Sequence, residues 1–290
     1  MVELGRTINK QLEAAHLPTK LSIAEAGEID YLYSNGNKPE RGSQIQQFFM
    51  PDGANSVLGL SHMSHSVSAH SYFTTAPMIK GMAEREKIRT AINTAKVASG
   101  KKDLGYWMSE YCILGDNHGE INGNHRDLGM TSALYLAKVV FMDLCYADAS
   151  AWHWWLALSA YDYKDGLIYV DKTYSTGKYY ESKMLWALGN YSRFIRPGYI
   201  RIGTHISNGE PNDSSLLISA FKDQKSQKVV IVAVNNTHTV KKLQLQNRRL
   251  ILKDKYVTSD RFNLQHFNLA SGQEVALQPA SVTTLTGILR

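Results

Sequence analysis

The segment from Leu104 to Leu114 (LGYWMSEYCIL) constrains the fold of this chain more than any other. It begins with an apolar and aromatic run, which predicts a buried strand, and Glu110 follows directly behind that run. Burying an unpaired carboxylate is costly or raises its pKa. In a parallel α/β barrel, the end of a strand is where catalytic residues lie. The segment by itself also fits a glutamate in an edge-strand turn that pairs with a Lys or Arg side chain.

Strand-like and helix-like segments alternate through the first two thirds of the chain. Strands are predicted over residues 20–26, 66–72, 104–114 and 149–158, and helices over residues 2–15, 44–50, 78–97, 128–146 and 183–194. This alternation predicts a parallel sheet with crossover helices. Beyond it, short β-rich runs recur at roughly ten-residue intervals, which is typical of an antiparallel β-sandwich. We therefore expect two domains, spanning residues 1–198 and 199–290.

The predicted parallel strands end in acidic, imidazole and aromatic side chains. In chain order these are Glu25, His70 with Tyr72, Glu110, and Trp154 with Trp155. Aromatic faces pack on the apolar faces of sugar rings, and carboxylates accept hydrogen bonds from sugar hydroxyl groups. The strand ends therefore predict a sugar-binding cleft. Glu25 also fits a simple ion pair, and His70 also fits a structural histidine.

Strand alternation predicts which face of its strand each tryptophan occupies. Trp154 and Trp155 are expected on opposite faces of their strand, so that one faces the cleft, and Trp152 is expected on the face of Trp154. Trp107 is expected to be buried in the core rather than to serve as a sugar platform.

Histidines and cysteines give weak signals for metal binding. His118 and His125 share one loop, but their spacing is not that of a regular ligand set, and a sugar-binding or solvated loop is favoured. Cys112 and Cys145 lie in apolar segments and are expected to be small core residues without a disulfide. We therefore expect no metal and no cofactor.

Composition narrows the class of partner. Hydrophobic residues make up 43% of the chain, which is enough for a sizeable core. The net charge of +6 is spread along the chain, and a modest basic cluster between residues 241 and 255 lies among short strands, which favours a solvated sheet face over a nucleic-acid site. No apolar run approaches the ~20 residues of a membrane span. Neither a nucleic acid nor a membrane is expected as a partner.

Several separated motifs, in order, carry a family resemblance. They are YWMSEY at 106–111, ASAWHWWLALSAYDYKDGLIYV at 149–170, LGNYSRFIRPGYIRI at 188–202 and LQPASVTTL at 277–285. Together they resemble glycoside hydrolase family 30, and most of all its endo-β-1,6-galactanase-like enzymes. The resemblance extends over nearly the whole chain, which makes it far more specific than any single motif.

The resemblance implies an α/β fold: the C-terminal half of a (β/α)8 TIM barrel followed by an antiparallel β-sandwich. It implies that Glu110, at the end of the family's seventh strand, is the nucleophile of a retaining β-glycosidase. The family's acid/base lies in an Asn-Glu pair after the fourth strand, and this sequence contains no Asn-Glu dipeptide. The first strand here resembles the family's fifth. The chain is therefore expected to begin in the helix after strand four.

Two functions remain open at the level of sequence. The first is a retaining β-glycoside hydrolase, or part of one, that acts on a β-linked polysaccharide or oligosaccharide such as galactan. The second is a non-catalytic carbohydrate-binding or structural half-barrel. Either would leave open strand edges, which suggests a second chain that completes the barrel. The resemblance also implies a secreted or periplasmic location.

Overall fold

The computed structural model describes residues 1–172, 177–207, 213–247, 249–269 and 274–290 of a mixed α/β fold. Its helices are α1 (Val2–Ala14), α2 (Gln44–Phe49), α3 (Met78–Ser99), α4 (Met130–Tyr146) and α5 (Lys183–Ser192). Two compact units are present: Met1–Tyr111 with Met142–Trp154, called the first unit below, and Cys112–Phe141 with Trp155–Arg290, called the second unit. The domain boundary expected at residue 198 stays a prediction.

The first unit contains a four-stranded parallel sheet. Its strands, in spatial order, are β1 (Glu25–Ala26), β2 (Ser66–His70), β3 (Gly105–Glu110) and β4 (Ala151–Trp152). Each strand lies beside its neighbour in sequence, and the parallel direction agrees with the strand–helix alternation. The pairing of Trp107 with Ala151 fixes the register between β3 and β4. Glu110 is the last residue of β3, as the sequence predicted.

The two outer strands are shorter than predicted. Ala24 adopts a left-handed conformation (φ 67°) directly before β1, so only two residues pair there, with a separate bridge from Leu21 to Met63. The predicted strand over residues 149–158 pairs with β3 only through Ala151 and Trp152. Trp154 and Trp155 follow that strand rather than belong to it, so the alternation rule used for their faces does not apply.

Helix α3 shows how the sheet is covered within the first unit. Met82, Ile88, Ile92 and Ala95 recur at helical spacing, and all four are buried. Burying such aliphatic side chains contributes roughly 1.5–3 kcal/mol for each large one. Gly100 ends the helix in a left-handed conformation (φ 69°), which glycine adopts without steric cost. The predicted helix therefore matches the observed one to within two residues.

The second unit is built on antiparallel pairing. Its strands are β5 (Leu158–Ser159), β6 (Ile168–Val170), β7 (Tyr179–Glu181), β8 (Tyr199–Ile202), β9 (Leu216–Asp223), β10 (Lys228–Asn235), β11 (Lys241–Gln244), β12 (Leu250–Thr258), β13 (Gln265–Asn268), β14 (Glu274–Leu277) and β15 (Ser281–Leu289). Strands β8 to β10, β12, β13 and β15 form a six-stranded sheet in the order β13-β12-β15-β10-β9-β8. Strands β11 and β14 form a separate pair, and β5, β6 and β7 form a small sheet in which β5 and β6 are parallel.

The core of the second unit joins the large sheet to the β11–β14 pair. Ile231 of β10 and Leu285 of β15 lie in one apolar cluster with Val275 and Leu277 of β14. Helix α5 contacts β12 and β15 through Asn190, whose side-chain amide donates to the Thr284 hydroxyl at 2.9 Å. This arrangement matches the β-rich texture expected from residue 199 onward.

Three further expectations can be compared with the structure. Trp107 is 38% exposed, so its assignment to the core is wrong: it lies on the opposite face of β3 from the buried Tyr106 and Met108. Cys112 is buried and Cys145 is half-buried. None of the described helices combines the length and the apolar character of a transmembrane span.

Candidate active site

A β-bulge arranges the polar residues at the end of β3. Ala69 pairs with Met108, but the next residue of β2, His70, pairs with Glu110, so that Ser109 is the extra residue. A bulge bends the strand and redirects side chains that strict alternation would send to opposite faces. Here it allows two successive residues, Ser109 and Glu110, to contact groups around the same histidine.

Glu110 is held by two side chains from the end of β2. The Tyr72 hydroxyl donates a hydrogen bond to Glu110 Oε1 at 2.9 Å, and His70 Nδ1 lies 3.7 Å from the same oxygen. The Glu110 side chain is 31% exposed. Both contacts use Oε1, which leaves Oε2 as the oxygen that can approach a bound molecule.

Glu25 and His70 form the second half of this polar group. His70 Nε2 lies 2.8 Å from Glu25 Oε1, and the Ser109 hydroxyl also donates to that oxygen. The imidazole of His70 therefore stands between the carboxylates of Glu25 and Glu110. About half of the Glu25 side chain is exposed, against 19% of the His70 side chain. The simple Lys or Arg ion pair considered for Glu25 is replaced by this contact with histidine.

The hydrogen bonds shift the pKa values of both partners. The hydrogen bond to Glu25 raises the pKa of His70, burial opposes the rise, and the charges of Glu110 and Glu25 add to it. Burial alone would raise the pKa of Glu25, but hydrogen bonds from His70 and Ser109 lower it overall. Both shifts favour an imidazolium in contact with a carboxylate, because each charged form stabilises the other.

Aromatic rings line one side of the polar group. Tyr72, Tyr111, Trp152 and Trp154 form what we call the aromatic wall. The Trp152 and Trp154 rings are stacked, with centroids 6.1 Å apart and an interplanar angle of 20°. Tyr111 connects them to Tyr72, whose ring centroid lies 5.6 Å away. The Trp152 and Trp154 rings therefore lie together through stacking, and not through the strand alternation from which their common face was expected.

Chemically, this arrangement offers two kinds of contact. The carboxylates and the imidazole can accept or donate hydrogen bonds, and the rings can pack against apolar C–H surfaces. In the part of the chain that the structure describes, no group of three or more His, Cys, Asp and Glu side chains is arranged to hold a metal ion. The loop histidine His125 pairs with Asp162 at 2.8 Å, and both side chains are largely exposed.

All five site residues named from the sequence lie in the first unit. Glu25, His70, Tyr72 and Glu110 are joined by direct contacts, and Trp154 joins them through the Tyr111 ring. Their roles as nucleophile and substrate contacts stay predictions.

Sequence reasoning missed Ser109 and Tyr111, the two neighbours of Glu110 in the chain. For Ser109, strand alternation gave the opposite signal, and only the bulge overrides it. Tyr111 falls directly after β3, and its aromatic character within the YWMSEY motif was the available signal.

Comparisons with known proteins identify similar glycoside hydrolases. A family model described as "O-Glycosyl hydrolase family 30" matches residues 1–169. The glucuronoxylanase XynC of Bacillus subtilis is 30% identical over 174 residues, which make up 59% of this chain and 35% of that enzyme. The chain thus matches about a third of the length of this curated relative.

Solved structures are similar over most of this chain. A conserved exported protein from Bacteroides fragilis superposes with a TM-score of 0.82 at 27% identity, over 96% of this chain and 57% of that one. The family 30 subfamily 8 xylanase Xyn30A from Clostridium acetobutylicum superposes with a TM-score of 0.60 at 20% identity, over 99% and 61% of the two chains. The xylanase likeness establishes a shared fold.

Proposed function

Because the chain belongs to glycoside hydrolase family 30, we propose that it serves in retaining hydrolysis of β-glycosidic bonds, with Glu110 as the nucleophile. The observation that carries this proposal is the position of Glu110 at the carboxyl end of a central parallel strand, with one carboxylate oxygen held by Tyr72. Catalytic groups of parallel α/β barrels lie at this end of the strands. The finer architecture, a half-barrel over residues 1–198 and a β-sandwich over residues 199–290, is part of the same proposal.

The proposed chemistry begins with attack by the second oxygen of Glu110 on the anomeric carbon. The bond from carbon to the leaving oxygen breaks as the ester bond to Glu110 forms, and the leaving oxygen takes a proton from an acid. Water then hydrolyses the ester with the same acid acting as base. Tyr72 keeps Glu110 in one orientation, and the Trp154 ring packs against the sugar.

Glu25 does not suit the role of that acid. Retaining enzymes place their two carboxyl groups ~5 Å apart with nothing between them, whereas the His70 ring separates Glu25 from Glu110. The lowered pKa of Glu25 also disfavours proton donation. We propose instead that Glu25 and His70 contact substrate hydroxyl groups, and that a separate polypeptide segment completes the barrel and supplies the acid. The exposed Trp107 on β3 supports such a missing neighbour.

The substrate class follows from the site and the relatives. A polar group beside an aromatic wall suits a β-linked polysaccharide or oligosaccharide. Sequence motifs favour β-1,6-galactan, while the similar enzymes are named xylanases. We propose galactan as the first candidate and xylan as the second. A secreted or periplasmic location is proposed on the family resemblance and on the exported B. fragilis protein.

The second candidate function is a carbohydrate-binding half-barrel without catalysis. The observation that favours it is the ring of His70 between the only two carboxylates that the described part of this polar group contains. In this case Glu110 would accept hydrogen bonds from sugar hydroxyl groups, and its carboxylate would not attack carbon.

The experiment compares hydrolysis of β-1,6-galactan and xylan by the purified chain, with and without an added polypeptide corresponding to the N-terminal part of a family 30 barrel. We expect turnover only in the mixture, because loss of the acid costs ~10²–10⁴-fold with an unactivated sugar leaving group. Glu110→Gln should abolish it, while Glu86→Gln, in a solvent-exposed ion pair on α3, should not. Turnover that survives Glu110→Gln would refute the nucleophile assignment. Saccharide binding without turnover in any mixture would favour the second function.

Self-association and dye binding test whether a second polypeptide completes the barrel. An open sheet edge and exposed apolar face should make the chain alone self-associate and bind a hydrophobic dye. Sedimentation and dye fluorescence should both change when the second polypeptide is added. A stable monomer at high concentration with little dye binding would contradict the proposed partner.

A further inference from the structure

A buried ion pair lies behind the polar group. Arg85 of α3 and Asp143 of α4 are both fully buried, and Arg85 Nε donates to Asp143 Oδ1 at 2.6 Å. Two well-packed apolar residues would often serve stability at least as well as such a pair. Its other hydrogen bonds therefore indicate what the pair holds in place.

Asp143 accepts two further hydrogen bonds, one from the residue that follows β2 and one from β4, the two neighbours of β3. The Ser71 hydroxyl donates to Oδ1 at 3.0 Å, and the Trp152 indole N–H donates to Oδ2 at 2.9 Å. Ser71 lies between His70 and Tyr72 at the end of β2, and Trp152 belongs to β4. One carboxylate thus connects both neighbours of the strand that carries Glu110.

Arg85 is itself rigidly placed. Its Nη1 donates to the carbonyl oxygens of Thr74 and Gly81, each at 2.9 Å. Gly81 permits this close packing, because a Cβ atom there would come within 2.7 Å of the Thr74 oxygen. The Tyr106 phenol closes the cluster: burial raises its pKa well above the ordinary value, and the nearby Asp143 charge adds to the rise. The phenol therefore stays neutral beside the carboxylate.

We propose that Asp143, held by Arg85, is a positioning residue that sets Tyr72 against Glu110 through Ser71, and sets the substrate-facing ring of Trp154 through Trp152. Asp143 Oδ1 affects the covalent step through Ser71, and Asp143 Oδ2 affects substrate binding through Trp152. The Ser71 contact governs the orientation of the group that holds the nucleophile. The Trp152 contact governs the stacked pair that packs against the sugar. The kinetic part of this inference rests on the proposed function of Glu110.

The proposal predicts a split between binding and chemistry. Ser71→Ala should slow the covalent step at Glu110 about fivefold to tenfold with little change in affinity, because it loosens the segment that carries Tyr72. Trp152→Phe should weaken binding about fivefold with a smaller change in the covalent step, because it releases the ring that stacks on Trp154. Both variants keep the Arg85–Asp143 pair, so they should fold.

The kinetic test uses dinitrophenyl 2-deoxy-2-fluoro-β-glycosides of galactose and xylose with the 290-residue chain. The bond from Glu110 to the anomeric carbon forms as the bond to dinitrophenolate breaks, and dinitrophenolate leaves with the electron pair and needs no proton. Mass spectrometry of the adduct against probe concentration gives an affinity and a first-order rate constant. Ser99→Ala and Trp186→Phe are the matched controls: the Ser99 hydroxyl donates to the Ala95 carbonyl and accepts from the Lys101 N–H, at the end of α3.

A second readout needs no reaction at the nucleophile. The chain contains five tryptophans, so 5-fluorotryptophan gives five ¹⁹F NMR signals that single Trp→Phe variants assign. Ser71→Ala should shift the Trp152 signal through their shared partner Asp143, and Trp152→Phe should shift or broaden the Trp154 signal. Neither control should move the Trp152 or Trp154 signal.

The outcomes separate the two proposals. The predicted split together with the two ¹⁹F shifts supports the positioning role. Unmoved Trp152 and Trp154 signals, or an equal loss of affinity and rate in both variants, overturns it. Absence of any Glu110 adduct with both probes, in the unmodified chain alone and in its mixture with the completing polypeptide, counts against the proposed function, and the ¹⁹F signals then decide the positioning role alone. Should Ser71→Ala fail to fold, Trp152→Phe decides in the same way.

Discussion

Polar side chains differ in charge and in exposure between the parallel sheet of the first unit and the large antiparallel sheet of the second unit. At the ends of the parallel strands, Glu25, His70 and Glu110 are ionisable and partly exposed. In the antiparallel region, Asn190 and Thr258 are neutral and fully buried, and Thr258 donates to the Asn190 side-chain oxygen at 2.6 Å. The first arrangement keeps charge where a ligand can reach it. The second satisfies polar groups internally.

The difference shows how to distinguish a candidate site from a structural network. A neutral amide or hydroxyl is buried at modest cost when its hydrogen bonds are complete, whereas a buried charge needs a partner of opposite charge. Charges that remain partly exposed and clustered therefore mark a place for binding. The Arg85–Asp143 pair is the exception within the first unit, because it is charged and fully buried. Burying this pair costs desolvation free energy, so a role in positioning its neighbours is the natural hypothesis to test.

The largest expected effect concerns that exception. Arg85→Ala leaves Asp143 buried without a counter-charge, so the free energy of unfolding should fall by about 3–5 kcal/mol. Urea unfolding measures it. Arg89→Ala on the same helix removes an exposed pair with Glu86 and should change the value by less than about 0.5 kcal/mol. Equal effects in the two variants would break the distinction between buried and exposed charge.

Disrupting the neutral hydrogen-bond network of Asn190, Thr258 and Thr284 in the second unit should cost less free energy of unfolding. Asn190→Ala removes one side-chain partner from each of the buried Thr258 and Thr284 hydroxyls, and should lower the free energy of unfolding by about 1–3 kcal/mol. Asn236→Ala, which removes an exposed hydrogen bond to the Ser214 carbonyl, is the matched control and should stay within about 0.5 kcal/mol. A loss for Asn190→Ala as large as that for Arg85→Ala would remove the contrast between charged and neutral burial.

The exposed charges should contribute through pH rather than through packing. The pKa of His70 is raised above 6.5, so its stabilising contribution is complete below 6.5 and is lost as pH rises through the higher folded-state pKa. The pKa of Glu25 is lowered below 4.5, so its contribution is present above 4.5 and is lost as pH falls through the lower folded-state pKa. The pair therefore stabilises the fold most between these two ordinary values.

Solvent exposure of Glu25 limits the size of this effect to about 1 kcal/mol or less. His70→Gln should flatten the decline of urea midpoints as pH rises above 6.5, and His16→Gln, at an exposed position after α1, is the matched control. Were stability to increase over that pH range in the unmodified chain and not in His70→Gln, the sign assigned to His70 would be wrong.

The smallest expected effect compares two tryptophans. The buried Trp186 Nε1 has no hydrogen-bond partner among the described residues, so Trp186→Phe should change the free energy of unfolding by less than about 0.5 kcal/mol or stabilise slightly. Trp152→Phe removes a real hydrogen bond to Asp143 and should cost about 1 kcal/mol. Thermal or urea unfolding of both variants gives the difference, and a larger loss at Trp186 would contradict it.

Much of the fold could be predicted from local sequence patterns. Apolar spacing predicted α1, α3 and α5 to within about two residues at most ends, and Gly100 marked the end of α3. The strand–helix alternation predicted parallel pairing between the segments that became β3 and β4. These features depend on neighbours a few residues apart, which is the range over which side-chain periodicity carries information.

The sequence by itself determined that Glu110 would end a buried strand, and that Glu25, His70 and Tyr72 would end strands beside it. Only the tertiary structure decided how they meet, because the bulge that pairs His70 with Glu110 depends on the register of two strands separated by a whole helix. The tertiary structure also decided that Trp107 is exposed and that Arg85 pairs with Asp143. A lone acid in the apolar helix α4 hinted at a partner, and Arg85 lies at helical spacing between Met82 and Ile88 on the apolar face of α3, but nothing local says that the two meet. Such contacts are chosen by packing between distant segments, where the cost of an unpaired buried charge selects the one arrangement that satisfies it.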